Sequence, residues 1–282
     1  MIELLSLPFM VRALVAAAVT GLAAPTIGTY LVQRRLALLG DGLGHVAVTG
    51  VALGLLSGTS PTWFAVGVAI LGALGIELIR ERGHTSGDVA LALLFYGGLA
   101  GGVLITGLAG QTGSRLQQYL FGSVTTVSAS DVVTTVVLAA VVVATCLGLL
   151  PQLFAVSQDQ DFARVAGVRI RVYNVLVAVL AAVTVTVAMR TVGLLLVSAL
   201  MVVPVATAQQ LTRSFRSTIG AAMVLGLLAS LAGLVLAAYL STVPLNVFPG
   251  PTIVLLSLAG FVLAWPLGVW RRHHATAEVA GG

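Results

Sequence analysis

The stretch "DVVTTVVLAAVVVATCLGLL", residues 131–150, carries a single charge in twenty positions, and that charge stands at its first residue. A helix rising 1.5 Å per residue covers about 30 Å in such a length, the thickness of the hydrocarbon layer of a bilayer. Working outward, comparable apolar runs occur at about 8–32, 42–58, 62–79, 88–109, 171–189, 192–209, 219–241 and 250–270. That makes nine expected spans, within a range of eight to ten, because 42–58 is short and Pro204 kinks any helix that contains it. Hydrophobic residues make up 59% of the 282 and charged residues 8%, whereas soluble domains carry about a quarter charged. The fold class expected is therefore an all-α polytopic membrane bundle. One transmembrane domain is expected over 1–272, with a short polar tail, 273–282, expected to be disordered and cytoplasmic.

Arginine placement sets the orientation, since short cytoplasmic loops collect positive charge. With nine spans, Arg34, Arg35, Arg80, Arg82, Arg164, Arg169, Arg171, Arg213, Arg216, Arg271 and Arg272 all fall on one side, leaving Arg12, Arg115 and Arg190 apart. The C-terminus is then cytoplasmic and the N-terminus outside. The net charge of +5 is spread in small clusters between apolar runs, with no basic face and no aromatic interleaving, so nucleic acid is excluded as a partner.

All 14 basic residues are arginine. Without a lysine the chain has no Gly-rich phosphate loop, so a partner must handle any ATP. Neither His-Glu-x-x-His nor Gly-x-Ser-x-Gly occurs, which removes the common intramembrane hydrolase chemistries. The expectation is a transporter subunit with no enzymatic activity of its own. The single cysteine, Cys146, reads as a small core residue. Gly50, Gly54 and Gly58, and the interleaved pairs Gly97/Gly101 and Gly98/Gly102, repeat the spacing at which helix backbones touch. The helix that follows residue 45 is thus expected inside the bundle.

The opening of that helix, "GDGLGHVAVTG" at 40–50, carries Asp41 and His45 four residues apart, on one helical face. A carboxylate beside an imidazole suits a borderline dication such as zinc, manganese or iron, and two donors fit an ion that must be released. The other reading makes Asp41 a helix cap and His45 a partnered side chain near the membrane surface. Glycines at 40, 42 and 44 are expected to hold the helix end open, so that backbone carbonyls can reach an ion.

Leu39-Gly40-Asp41-Gly42-Leu43-Gly44-His45 followed by Gly50-Val51-Ala52-Leu53-Gly54 resembles the signature of the permease subunits of ABC-type zinc, manganese and iron importers. Similar blocks follow in the family's order: Tyr119–Ser123 before a Ser-x-x-Asp helix start, Asp161–Val168 in a polar loop, and Val192–Leu200 running to Pro204. The resemblance covers roughly residues 10–270. It implies a vitamin B12-permease-like ABC importer architecture and a transported divalent metal, zinc first, then manganese or iron, held transiently by Asp41 and His45 with no resident cofactor. The partners it implies are a second permease copy, cytoplasmic ATP-binding subunits and an extracytoplasmic metal-binding protein, at a bacterial plasma membrane. Where the family usually carries serine, this chain has Gly44, and often also Gly40.

Residues 157–171 form the most polar stretch between spans. Ala163-Arg164-Val165-Ala166 favours a short helix that Gly167 can end. An ordinary solvated loop is one reading. The resemblance implies the other: an ATPase-coupling loop carried by Asp159, Asp161, Phe162, Ala163, Arg164, Val165 and Gly167; residues 207–218, with Arg213 and Arg216, form a second candidate contact. Glu77, Arg80, Glu81 and Arg82 are expected to pair at a helix end, Asp88 and Asp131 to occupy first turns, and Arg190 to snorkel to headgroups. His84, His273 and His274 are expected outside the pathway. A secondary cation transporter or channel, or a permease for a metal chelate, are the alternative functions.

Overall fold

The computed structural model describes residues 7–82, 87–108, 110, 120–122, 127–241 and 247–280, with side chains up to residue 268. Among them all regular structure is helical: α1 (Pro8–Gln33), α2 (Leu39–Leu56), α3 (Pro61–Glu81), α4 (Gly87–Leu108), α5 (Ala129–Gly148), α6 (Leu150–Gln158), α7 (Gln160–Val165), α8 (Ile170–Val192), α9 (Leu194–Leu211), α10 (Phe215–Leu240) and α11 (Pro249–Ala280). Nine helices among the described residues, all but the short α6 and α7, are long and apolar enough to cross a membrane.

Helix ends follow local chemistry. Pro sits in the first turn of α1, α3 and α6, where the missing N–H costs nothing. Ser128 and Asp131 form a reciprocal capping box at the start of α5, as do Ser214 and Ser217 at α10. The chain turns from α1 into α2 through Arg35 at φ 58°, with Leu36 N–H bonded to Leu31 O at 2.8 Å and Arg35 N–H to Val32 O at 3.1 Å. This is the double bond of a Schellman ending, with arginine where glycine is usual. Gly193 at φ 91° separates α8 from α9 and sits backbone to backbone against Gly122 at φ 76°, so neither position has room for a side chain. The expected runs 171–189 and 192–209 are thus two separate helices, with Pro204 inside the second.

α1, α2 and α8 are the most enclosed spans, while α3, α4, α5 and α11 bury the smallest share of their residues. Leu39, Leu43, Ala47 and Val51 recur every fourth residue and form the buried stripe of α2. Glycines mark the tightest crossings: Gly21 of α1 meets Gly226 of α10, Gly28 of α1 meets the Met201 carbonyl of α9, and Gly98 of α4 meets the His45–Val46 backbone of α2. Gly50 and Gly54 likewise lie against Ala65 and Pro61 of α3, whereas Gly58 ends its turn in open space. Of the interleaved pairs, Gly98, Gly101 and Gly102 face α2 and Gly97 faces away. Many hydroxyls inside the spans return to the preceding turn, as Thr29 does to Pro25 O at 2.8 Å and Thr186 to Ala182 O at 2.6 Å, whereas those of Thr20, Ser198 and Ser230 are buried without a hydrogen-bond partner. Cys146 is buried as expected, and its carbonyl accepts from the Tyr30 hydroxyl at 2.7 Å.

Contacts at the two ends agree with the alternation of spans. Gln33 bonds Gln158 at 2.9 Å and Arg171 pairs with Glu81 at 3.1 Å at the arginine-rich end. At the other end Arg190 pairs with Asp131 at 2.9 Å and donates to the Thr62 hydroxyl at 3.0 Å. Arg190 is therefore a clasp between α8, α5 and α3 instead of a headgroup anchor: a carboxylate already fixed by its capping box is a nearer partner than phosphate. Glu77 and Arg80 pair at i,i+3 as expected, and Asp88 lies in the first turn of α4. The backbone of α11 stays helical to Ala280, where the sequence predicts a disordered tail; Ala275, Ala277, Glu278 and Ala280 favour helix, and no glycine or proline intervenes before Gly281. Arg115, Tyr119, Ser123 and His84 lie outside the described residues, and the side chains of His273 and His274 are not described.

Candidate functional site

α2 begins at Leu39, so Asp41 and His45 lie about 3 and 9 Å along its axis, near the arginine-rich end. Asp41 is not the cap: Leu38 holds that position without a side-chain bond, and Asp41 sits inside the first turn, where a carboxylate is favoured. The structure brings Asp41 and His45 together, with Oδ1 and Nε2 4.0 Å apart and the side chains 28% and 13% exposed. That separation is too long for a hydrogen bond. Two donors on a tetrahedral ion at about 2.05 Å would be about 3.3 Å apart, so a small side-chain rotation would close the pair on a metal. Among the described residues no group of three or more His, Cys, Asp and Glu forms, so one chain supplies two such donors here.

The surroundings come from α4 and α9. The Phe95 ring stands edge-on to His45 with centroids 4.4 Å apart, which fixes the plane of the imidazole. One turn further, the Thr49 hydroxyl donates to Gly98 O at 2.7 Å and ties α2 to α4 directly beside the site. Asp41, His45 and Thr49, spaced by four, make a polar stripe along the otherwise apolar α2.

The glycines at 40, 42 and 44 do not open the helix end as expected. They are helical, and their role is close packing: a Cβ at Gly40 would lie 2.7 Å from Met201 Sδ, one at Gly42 3.2 Å from Leu94, and one at Gly44 1.8 Å from Leu194 Cδ1. The large residues of α9 and α4 occupy the space that side chains at 40, 42 and 44 would need. Phe95, Leu194 and Met201 were invisible in the sequence, where each is one apolar residue in a long apolar run.

A consequence is checkable on α4. An added Cβ at Gly98 lies 2.5 Å from Val46 N and 2.7 Å from His45 C, both backbone atoms that cannot yield, whereas one at Gly97 meets nothing within 4 Å. Gly98→Ala is expected to cost about 1–3 kcal/mol of stability through overpacking and to displace Phe95 from His45, while Gly97→Ala is neutral. Thermal unfolding of the two variants in detergent checks the contrast.

The second expected site forms as a compact knob. Asp159 caps α7, accepting from the N–H groups of Asp161 at 2.9 Å and Phe162 at 3.0 Å. Arg164 lies 3.4 Å from Asp161, and Gly167 at φ 80° ends the turn. Ala163 is fully buried and anchors the helix, whereas Phe162 and Val165 are 66% and 88% exposed.

A bundle in which nine of the described helices are long and apolar enough to cross a membrane, with a donor pair on an enclosed helix and a short capped helix between two of the long ones, has the build of a transport permease. The description "ABC 3 transport family" matches residues 6–267, and the chain belongs to that family. It is 28% identical to the High-affinity zinc uptake system membrane protein ZnuB of Haemophilus influenzae, over 89% of this chain and 95% of that one. It is 31% identical to the Manganese transport system membrane protein MntC of Halalkalibacterium halodurans, over 93% of this chain and 88% of that one. In three dimensions it is similar to PsaBC from Streptococcus pneumoniae in complex with Fab, with a TM-score of 0.82, 28% identity and 94% of both chains covered. The all-helical ABC permease fold expected from the sequence is thereby established.

Proposed function

We propose that this permease imports a first-row divalent metal ion, zinc foremost and manganese or iron next, into the cytoplasm of a bacterium across its plasma membrane. The observation that carries the reading is the unclosed Asp41–His45 pair, one oxygen and one nitrogen donor 4.0 Å apart on an enclosed helix. Its mixed donor set is of borderline softness, and a pair binds weakly enough to let an ion pass on. Relatives named for zinc and for manganese transport support the substrate class and leave the choice of metal to experiment.

The reading places the arginine-rich end, with the C-terminus, in the cytoplasm. Two copies of the chain line one pathway. An extracytoplasmic binding protein delivers the ion to the far end, Asp41 and His45 hold it briefly, and cytoplasmic ATP-binding subunits press on α7 to alternate access. No cofactor stays bound; the metal is cargo.

The test is purification and reconstitution. The permease is expected to co-elute with an ATP-binding subunit encoded beside it, and the reconstituted complex to hydrolyse ATP several-fold faster with binding protein and metal than without. Metal flux through the permease alone, driven by a gradient and indifferent to ATP, would replace this reading with a secondary cation transporter or channel.

A further inference from the structure

At the arginine-rich end a cleft of about 870 Å³ opens between α3, α7 and α8. Its charged lining is Arg80, Arg164, Arg169 and Arg171 against Glu77 and Glu81, and Arg164 faces Asp161 just outside it, which leaves one positive charge in excess. Glu77 is committed to Arg80, and Glu81 to the Nε of Arg171. Arg169 forms no ion pair among the described residues. Beside this corner the three guanidinium nitrogens of Arg34 are buried without a hydrogen-bond partner, and its charge feels Glu77 and Arg80. The carboxylates present are too few for the guanidinium groups gathered here.

Apart from Gln160 and Asn174 the rest of the lining is apolar: Leu74 and Leu78 are exposed on the spanning part of α3, and Val172 on the first turn of α8. A cationic rim above an apolar wall at the membrane boundary matches an amphiphile. Basic pockets between spanning helices on the cytoplasmic side take anionic headgroups. A soluble partner could reach the rim but not the wall below it.

We propose that this cleft binds an anionic phospholipid, its phosphodiester on Arg169 and Arg171 and its acyl chains against Leu74, Leu78 and Val172. A guanidinium presents a fork of donors suited to phosphate oxygens. The lipid would lie against both α3 and α7, joining the membrane bundle to the knob outside it. Only the choice of leaflet rests on the orientation adopted above.

The test is native mass spectrometry of the full-length permease in detergent, titrated with phosphatidylglycerol and phosphatidylcholine of equal chain length. Wild type is expected to bind phosphatidylglycerol preferentially. Each arginine at an anionic lipid is worth a factor of about five, so Arg169→Gln/Arg171→Gln lowers that affinity roughly thirty-fold with phosphatidylcholine unchanged. Arg213→Gln/Arg216→Gln, which removes two charges from the same end, keeps the preference. Glu81→Gln removes a competing carboxylate and strengthens it, an arm that decides the matter even if the double arginine variant does not fold. Equal binding of the two lipids by wild type, or an unchanged preference in the Arg169/Arg171 and Glu81 variants, would overturn the proposal. So would displacement of the lipid by inorganic phosphate at comparable affinity, which marks a free-anion site, or loss of ATPase co-elution with an unchanged lipid profile, which marks a protein contact.

Discussion

Replacing Asp41 or His45 by alanine is expected to reduce metal uptake to background while the permease still assembles in the membrane. With two such donors per chain, either change leaves one. Even a residue that only orients a metal ligand is typically worth 10–100-fold in affinity, so loss of the ligand itself should cost at least that much. The folding cost should differ between the two variants. Asp41 is 28% exposed, and its carboxylate stands 4.0 Å from the imidazole without bonding to it, so its removal should lower stability by less than about 1 kcal/mol. His45→Ala also deletes the edge-to-face contact with Phe95, worth roughly 0.5–1.5 kcal/mol beyond buried area. Asp41→Asn keeps the shape and one oxygen but loses the charge, and should retain partial uptake at raised metal concentration. Uptake of radioactive zinc or manganese in cells, normalised to permease in the membrane, is the measurement. Normal uptake by both alanine variants would remove the pair from the pathway.

Most of the architecture was legible because its signals are local. Uninterrupted apolar length gives spans, and Ser128 three residues before Asp131 gives a capped start, with no knowledge of what lies across the bundle. The i,i+4 spacing of Asp41 and His45 is local too. What could not be read depends on partners distant in the chain. Asp131 and Arg190 each have a sufficient local explanation, cap and snorkel, and only the packing of α5 beside α8 makes them a pair. The packing role of the glycines at 40 and 44 is hidden for the same reason, since the methionine and leucine that fill their space lie about 150–160 residues further along. Arg35 shows a different limit: nothing in its neighbours announces a left-handed arginine, because the demand comes from reversing the chain between two spans. The metal itself is unreadable, because zinc, manganese and iron all accept one oxygen and one nitrogen and differ in the ligands that complete the sphere.

Phe162→Asp and Val165→Asp are expected to abolish ATP-driven uptake while leaving metal binding at Asp41 and His45 intact, because α7 lies on the far side of the proposed mechanical link. α7 has six residues, too few to persist alone, so its shape is imposed by the Asp159 cap, the buried Ala163 and the left-handed Gly167. On the proposed reading, this firmly held helix docks a partner through its exposed phenylalanine and valine: burying the phenylalanine alone would be worth about 1.5–3 kcal/mol, or roughly 10–100-fold in affinity. An aspartate there forfeits that gain and adds an unpaired charge to the centre of an interface. Because both side chains are exposed, neither change should alter the thermal stability of the permease by more than about 0.5 kcal/mol. Gly167→Ala should act more weakly and differently: its Cβ would meet nothing within 4 Å, so only the positive φ opposes it, at about 1 kcal/mol, and α7 should loosen without losing its contact residues. Co-elution with the ATP-binding subunit, read beside metal binding to the purified permease, separates these cases. Full ATP-driven uptake by Phe162→Asp would mean that the partner docks elsewhere, with residues 207–218 the next surface at the same end to test.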